Sequence, residues 1–466
     1  MGSIRVFRHY ISIPLFVLGI VEFVLLVASV YAGAHIRFYY DPAEINTSIG
    51  WLLPRSVAFA AILLASLVAL GLFQSRLREG TLGIIFRVAS AYVVGAVGLA
   101  VLFYLLPSLF IGRGALAIAM AVSFVVITGV HLAFVHFAQD SLKRRVVVLG
   151  AGTRAGTLMS LRRRSDQRGF KLVGFVPAPG EEQVIPADRL LHIDGSLADY
   201  ALAHDIDEYV IALDERRKQL PTADLLSCKM SGVEVTDIQT FFERETGKVR
   251  LDLLNPSWLI FSDGYNRHAL REISKRVFDI AASLLLLLFT WPIMLIAALA
   301  IFVESGFRGP ILYSQLRTGQ DGKPFRVLKF RSMTVDAEKD GAAQWAAVND
   351  SRVTRVGAIL RKFRIDELPQ IFNVLKGDMS FVGPRPERPE FVGQLAEKIP
   401  YYHERHRVKP GISGWAQLCY PYGSSEKDAR EKLQYDLYYV KNHSLFLDLT
   451  IMLQTAEVVL FGKGAR

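Results

Sequence analysis

Two adjacent carboxylates stand in the run Arg364-Ile-Asp366-Glu367-Leu-Pro369-Gln370, and a few residues on the chain reads Lys376-Gly-Asp378-Met-Ser-Phe-Val-Gly383-Pro-Arg385-Pro-Glu387. Val356, Ile359, Leu360 and Phe363 recur before the pair at helical spacing. The carboxylates are therefore expected where one helix ends and another, opened near Pro369, begins. There they face unpaired backbone N–H groups. The helix dipole and the cations Arg361, Lys362 and Arg364 are expected to favour the ionised form, which suits a nucleophile or a metal ligand. An Asp-Glu pair before a proline is also an ordinary helix cap, and the neighbouring sequence has to decide between the two readings.

That sequence is cationic. Gly309 to Met333 reads as two short strands around a turn at Gly322, carrying Arg317, Lys323, Arg326, Lys329 and Arg331. Guanidinium forks match phosphate oxygens, so Lys329, Arg331, Arg364 and Arg385 are candidate phosphate partners, each with a surface salt bridge as its plainer alternative. Arg385 lies between Pro384 and Pro386, whose locked φ angles limit how far its side chain can wander. Further on stand Arg405-His-Arg407-Val-Lys409-Pro410-Gly411-Ile-Ser-Gly414-Trp415-Ala-Gln417 and Tyr435-Asp436-Leu-Tyr-Tyr439-Val-Lys441-Asn442. Asp436 is either a second carboxylate at the site or a helix-surface charge. His403 and His406 are three residues apart with no third ligand nearby, which misses the zinc-motif spacing, and both are expected at the surface or facing lipid.

Taken in order, the Lys-Phe-Arg-Ser-Met, Asp-Glu-Leu-Pro-Gln and Gly-Pro-Arg-Pro motifs resemble the bacterial sugar transferase family, the monotopic phosphoglycosyl transferases, over roughly residues 272 to 466. The resemblance implies transfer of a sugar phosphate from a UDP-hexose, glucose or galactose in the longer members, to undecaprenyl phosphate. It implies Asp366 as the nucleophile of a covalent phosphosugar intermediate, Glu367 as a Mg²⁺ ligand, and a homodimer. A pyrophosphate substrate requires neutralised charge, a bridging divalent ion and a positioned nucleophile, and this set of residues could supply them. The main rival is a membrane-bound NAD-dependent nucleotide-sugar dehydratase or epimerase, which needs a Tyr-x-x-x-Lys relay. None of the 17 tyrosines has a lysine four residues on. A non-catalytic regulator of polysaccharide assembly would have no use for the full set of phosphate-handling motifs.

The chain has 466 residues, is 51% hydrophobic and carries a net charge of +10. It is too apolar for an ordinary soluble protein. The charge suits anionic lipid and phosphate, and no nucleic-acid motif accompanies it. Apolar runs near 11–32, 52–73, 84–106 and 115–137 each approach the roughly 20 residues that span a bilayer. The first lacks a small-residue cleavage site and is not read as a removable signal peptide. Arg5, Arg8, Arg76, Arg78, Arg87, Lys143, Arg144 and Arg145 flank these runs on one side, against Arg37, Arg55 and Arg113 on the other. The bias places the N-terminus and everything after residue 142 on the cytoplasmic side of a bacterial inner membrane. Cys228 and Cys419, both in that portion, indicate neither a disulfide framework nor a metal site.

Three domains are expected: four transmembrane helices over 1–142, a Rossmann-like α/β domain over 143–262, and an α/β transferase domain over 263–466. In the second, Arg145-Val-Val-Val-Leu-Gly150-Ala-Gly152-Thr-Arg-Ala155-Gly156 matches G-x-G-x-x-A, with strands at 171–176 and 208–212. The second strand ends in Val176-Pro177 without an acid for a ribose hydroxyl, so dinucleotide binding and a structural role both stay open. Residues 233–261 read as a connector into the third domain. There the apolar run 280–303, interrupted at Pro292, is long enough for a fifth span. A fifth span would put Asp366 on the side where nucleotide sugars are not supplied. A re-entrant helix, bent at Pro292 and returning to the same interface, is expected instead.

Overall fold

The structure is a computed structural model that describes residues 3–6, 9–73, 81–138, 143–161, 169–215, 220–254, 269–334, 352–420, 423 and 425–461. The chain divides into two compact units, the first ending at Gly247 and the second, apart from residues 7–9, beginning at Lys248.

The first unit opens on a short strand pair, β1 (Ser3–Val6) and β2 (His9–Ser12), followed by four long helices: α1 (Ile13–Arg37), α2 (Leu52–Ala69), α3 (Thr81–Leu105) and α4 (Arg113–Ala133). Pro14 and Pro54 lie in first turns, where a missing N–H costs little. All four helices are long and apolar enough to cross a membrane. Leu26, Phe59, Leu63, Leu67, Val88, Ala91 and Ala119 form their shared core, while Val24, Val93 and Val125 are exposed on the outer faces. A side chain at Gly33 would meet the Ala115 carbonyl oxygen and the Ala119 amide nitrogen, both at 2.8 Å, so α1 and α4 approach along a seam of small residues. Glu22 Oε1 and His131 Nδ1, 2.9 Å apart and buried, make a polar contact between the same two helices.

The same unit holds a parallel sheet of β3 (Arg144–Leu149), β4 (Phe170–Val176), β5 (Glu208–Ile211) and β6 (Glu234–Asp237), in the order β4-β3-β5-β6. Helices α5 (Leu197–Ala203), α6 (Thr222–Met230) and α7 (Ile238–Thr246) connect or follow its strands. Val147, Tyr209, Leu225 and Cys228 pack in its core. The expected connector is partly wrong. Residues 234–246 are the fourth strand and its helix, because Glu234 to Asp237 pair in register with Glu208 to Ile211. Lys248 and Val249 instead join the second unit, through Lys248 Nζ to Glu431 (3.0 Å) and the Val249 amide to the Gln434 carbonyl (3.0 Å). The Trp258-Leu-Ile-Phe261 end of the connector lies outside the described residues.

The second unit is organised around α8 (Ala269–Glu304), a fifth helix long and apolar enough to cross a membrane. It runs as one helix through Pro292. An antiparallel pair, β7 (Leu312–Thr318) and β8 (Pro324–Phe330), turns at Gly322 as expected. Then come α9 (Arg355–Lys362), a 3-10 turn at Ile365–Glu367, α10 (Gln370–Lys376) and β9 (Ser380–Val382). The unit is completed by α11 (Pro389–Lys398), β10 (Gly411–Ser413, parallel to β9), α12 (Glu426–Asn442) and α13 (Leu445–Phe461).

Both ends of α8 attach to this one body. Near its start, Lys275 donates to Asp448 Oδ2 (2.6 Å) and the Val382 carbonyl (3.2 Å), Arg276 caps the Val374 and Leu375 carbonyls (2.5 and 2.6 Å), and Asp279 accepts from Ser380 (2.9 Å). At its far end, Ala297 and Ile301 pack on Phe330 and Leu360, and Glu304 accepts from the Val356 amide (3.0 Å). Between these anchors Leu285, Leu288, Phe289, Trp291 and Ile296 are exposed.

Candidate active site

Asp366 and Glu367 occupy the 3-10 turn between α9 and α10, the helix-to-helix junction expected from the spacing. Thr354 caps α9 by accepting from the Gly357 amide (3.0 Å). Arg364, at φ +57°, takes the left-handed conformation that turns the chain between them, a strained choice for a residue with a side chain. Asn373 fixes the far side. Its Oδ1 accepts from the Leu328 amide (2.9 Å) and its Nδ2 donates to the Arg326 carbonyl (2.8 Å), pinning α10 against the strand that carries Lys329.

The two acids are 7% and 9% exposed, yet their surroundings differ. Glu367 Oε1 accepts from Lys329 Nζ and Arg385 Nη2, both at 3.0 Å, with Arg364 Nη1 at 3.8 Å. Burial raises the Glu367 carboxyl, but Lys329, Arg385 and Arg364 outweigh it and hold the group well below the ordinary carboxylate range. Asp366 behaves oppositely, against expectation. Burial and the adjacent Glu367 charge push it up despite Lys329, Arg361 and Arg364, and its Oδ1 is buried without a hydrogen-bond partner. The cations that bond Glu367, Lys329 and Arg385, come from elsewhere in the sequence, and at Asp366 the pull of Lys329, Arg361 and Arg364 does not offset burial and a like-charged neighbour. Burial also draws the Lys329 ammonium below its ordinary value, against the pull of Glu367.

The remaining candidates fall into two groups. Arg385 reaches the dyad, because the segment after β9 is held on both sides: Gly383 donates to the Ser413 carbonyl (2.9 Å) and the Pro384 carbonyl accepts from Gly411 (3.0 Å). Arg331 points elsewhere, donating from Nη2 to Ser305 (2.6 Å), and its Nη1 is buried without a partner. Asp436 is neither at the dyad nor on the surface. It is buried and pairs with Arg405 at 2.7 Å, while Arg405 donates to the Arg385 carbonyl (3.0 Å) and the Tyr402 hydroxyl (2.9 Å). Asp436 thus acts through Arg405 on the backbone that presents Arg385. Lys275, Tyr439 and Asp448 form a second brace, with Tyr439 donating to the Val382 carbonyl (2.9 Å) two residues before Pro384.

His403 is exposed as expected, but His406 is 8% exposed and stands beside Pro384, Arg385 and Arg405 around a cavity of about 10 Å³. Burial, with the Arg405 charge, lowers its pKa to about 3, so the ring is neutral. The three-residue spacing predicts two surface or lipid-facing residues, whereas the 3-10 segment Tyr402–Arg407 turns one of them inward. Asn373 did carry a signal, a lone amide inside the apolar run Ile371-Phe-Asn373-Val-Leu375. Arg405 carried none that distinguishes it from Arg407.

Fold and site together define a membrane-associated α/β protein whose second unit sets a buried carboxylate dyad among phosphate-matching cations. The model of the family described as bacterial sugar transferase matches residues 270–462. Among similar proteins, UDP-N-acetylgalactosamine-undecaprenyl-phosphate N-acetylgalactosaminephosphotransferase of Aeromonas hydrophila is 44% identical over 52% of this chain and 56% of its own length. Undecaprenyl-phosphate glucose phosphotransferase of Komagataeibacter xylinus is 35% identical over 70% of this chain and 60% of its own length. UDP-glucose:undecaprenyl-phosphate glucose-1-phosphate transferase of Klebsiella pneumoniae is 35% identical over 69% of each chain. The chain therefore belongs to the bacterial sugar transferase family, while matching less than two thirds of the length of the first two relatives.

Proposed function

We propose that this chain transfers a sugar 1-phosphate from a UDP-sugar to undecaprenyl phosphate, releasing UMP, as the initiating step of a surface polysaccharide. The observation that carries this reading is Asp366, buried with one oxygen unpartnered beside a Glu367 that Lys329 and Arg385 keep ionised. Asp366 attacks the phosphorus next to the sugar, the bond from that phosphorus to the UMP oxygen breaks, and UMP leaves with the electron pair. The phosphosugar is then an acyl phosphate on Asp366. A phosphate oxygen of undecaprenyl phosphate attacks the same phosphorus and frees the carboxylate. Lys329, Arg385 and Arg364, already gathered at the dyad, bind the phosphate oxygens.

Mg²⁺ is proposed at Glu367, with the unpartnered Asp366 Oδ1 beside it. No cluster of three or more His, Cys, Asp or Glu residues able to hold a metal occurs among the described residues. That donor set fits Mg²⁺, which takes one or two carboxylates and completes its shell with substrate phosphates and water. When bound, it would offset charge on the pyrophosphate.

The proposed setting is a bacterial inner membrane with α1–α4 spanning it, the Rossmann-like sheet domain and the transferase domain in the cytoplasm, and α8 re-entrant around Pro292. Attachment of both α8 ends to one body supports the last point, because a straight crossing would part them. Exposed Phe307, Ile359 and Phe363 add an apolar surface on that body. Glucose, named for the Komagataeibacter and Klebsiella relatives, and N-acetylgalactosamine, named for the Aeromonas relative, are the candidate sugars. Purified protein supplied with undecaprenyl phosphate and a panel of UDP-glucose, UDP-galactose and UDP-N-acetylgalactosamine should release UMP with at least one donor. Silence with every UDP-sugar, in protein shown to be folded, would remove the reading.

A further inference from the structure

The glycine motif of the sheet domain is not used by the proposed reaction, and the structure fills it from within. The sheet order reverses between β3 and β5, and the crevice beyond the carboxyl ends of such strands is where ligands of doubly wound sheets bind, their phosphates on the backbone amides of the glycine turn. Those amides already have acceptors here. Asp214, just past β5, accepts from the Thr153 and Arg154 amides through its two oxygens, each at 2.8 Å. Glu181, in the loop after β4, accepts from the Ala151 amide (3.0 Å) and from the Asp214 amide (2.9 Å), which ties the two loops together. A Cβ at Gly152 would lie 2.2 Å from Asp214 Oδ2, so the second glycine gives the carboxylate its seat.

We propose that this glycine turn is an internally capped anion cradle. The Asp214 and Glu181 carboxylates stand where the phosphates of a dinucleotide would, and the domain takes no dinucleotide while they remain in place. This explains why a G-x-G-x-x-A turn occurs beside a second strand that has no acid for a ribose hydroxyl. The turn is needed for the fit of Asp214 and requires no cofactor. The inference stands independently of the transferase reading.

The test is hydrogen–deuterium exchange on the full-length protein in detergent, following the peptide over residues 150–157 with and without millimolar NAD⁺. In the wild type the peptide should be protected and NAD⁺ should change nothing. Gly152→Ala, which expels Asp214 without altering charge, and Asp214→Asn should each speed exchange at Thr153 and Arg154 by several-fold to about tenfold. Protection of β3, Arg144–Leu149, reports that the domain is still folded. If either variant loses that protection, Glu181→Ala, which frees only the Ala151 and Asp214 amides, serves in its place and should speed exchange at Ala151. Saturable protection by NAD⁺ in the wild type, or exchange indifferent to the substitutions in a folded domain, would overturn the proposal.

Discussion

Asp366 and Glu367 are neighbours in one turn, but the fold treats them as different reagents. Both are buried, and the neighbouring cations outweigh burial at Glu367 but not at Asp366. For Asp366 the folded carboxyl titrates above its unfolded value, so its contribution to stability is present at low pH and is lost as pH rises through the folded pKa. At neutral pH its charge is a cost. Asp366→Asn should therefore be inactive yet at least as stable as the wild type in thermal unfolding at neutral pH, and a clear fall in stability would contradict the burial of an unpartnered charge. Glu367 runs the other way, stabilising above its unfolded pKa and losing that contribution only as pH falls through the depressed folded value. Glu367→Gln leaves Lys329 and Arg385 facing an amide and should cost about 1–3 kcal/mol. It should also weaken the Mg²⁺ dependence of UMP release, and an unchanged metal titration would exclude the ligand role. Because Asp366 must be ionised to attack, single-turnover UMP release should fall on the acid side at a pKa above the ordinary aspartate value of about 3.9. A limb at or below that value would contradict the raised carboxyl.

At the scale of elements, the apolar spacing before the dyad and the turn at Gly322 were legible, because local periodicity and glycine act over a few residues. The four apolar runs of the first unit were legible for the same reason, as helices that reappear within a few residues of their expected limits. The fourth sheet strand was not. Glu234-Val-Thr-Asp237 is short and mostly polar, and it is a strand only because Glu208 to Ile211 lie beside it in register. The inward turn of His406 and the bracing of Arg385 by Arg405 and Asp436 likewise depend on contacts distant in sequence. The anchors of α8 were invisible for that reason too, although its length and Pro292 were plain. Single cysteines at Leu270 and Arg308, in a background lacking Cys228 and Cys419, should both resist an impermeant thiol reagent applied outside intact cells. Labelling at 308 but not 270 would make α8 an ordinary span.

For the whole molecule, the division between Gly247 and Lys248 places every residue assigned to the transfer chemistry in the second unit. A fragment beginning at Lys248 keeps the contacts of Lys248 and Val249 with α12 and should still release UMP in lipid; inactivity of a folded fragment would show that the first unit completes the site. The central claim, a phosphosugar carried on Asp366, is tested most directly by intact-protein and peptide mass spectrometry after incubation with the UDP-sugar that supports turnover, in the absence of undecaprenyl phosphate. The wild type should gain the mass of one phosphosugar on the peptide containing Asp366 and lose it when undecaprenyl phosphate is added, while Asp366→Asn gains nothing. An adduct that persists in Asp366→Asn, or rapid turnover through which no adduct forms on the wild type, would contradict the covalent assignment.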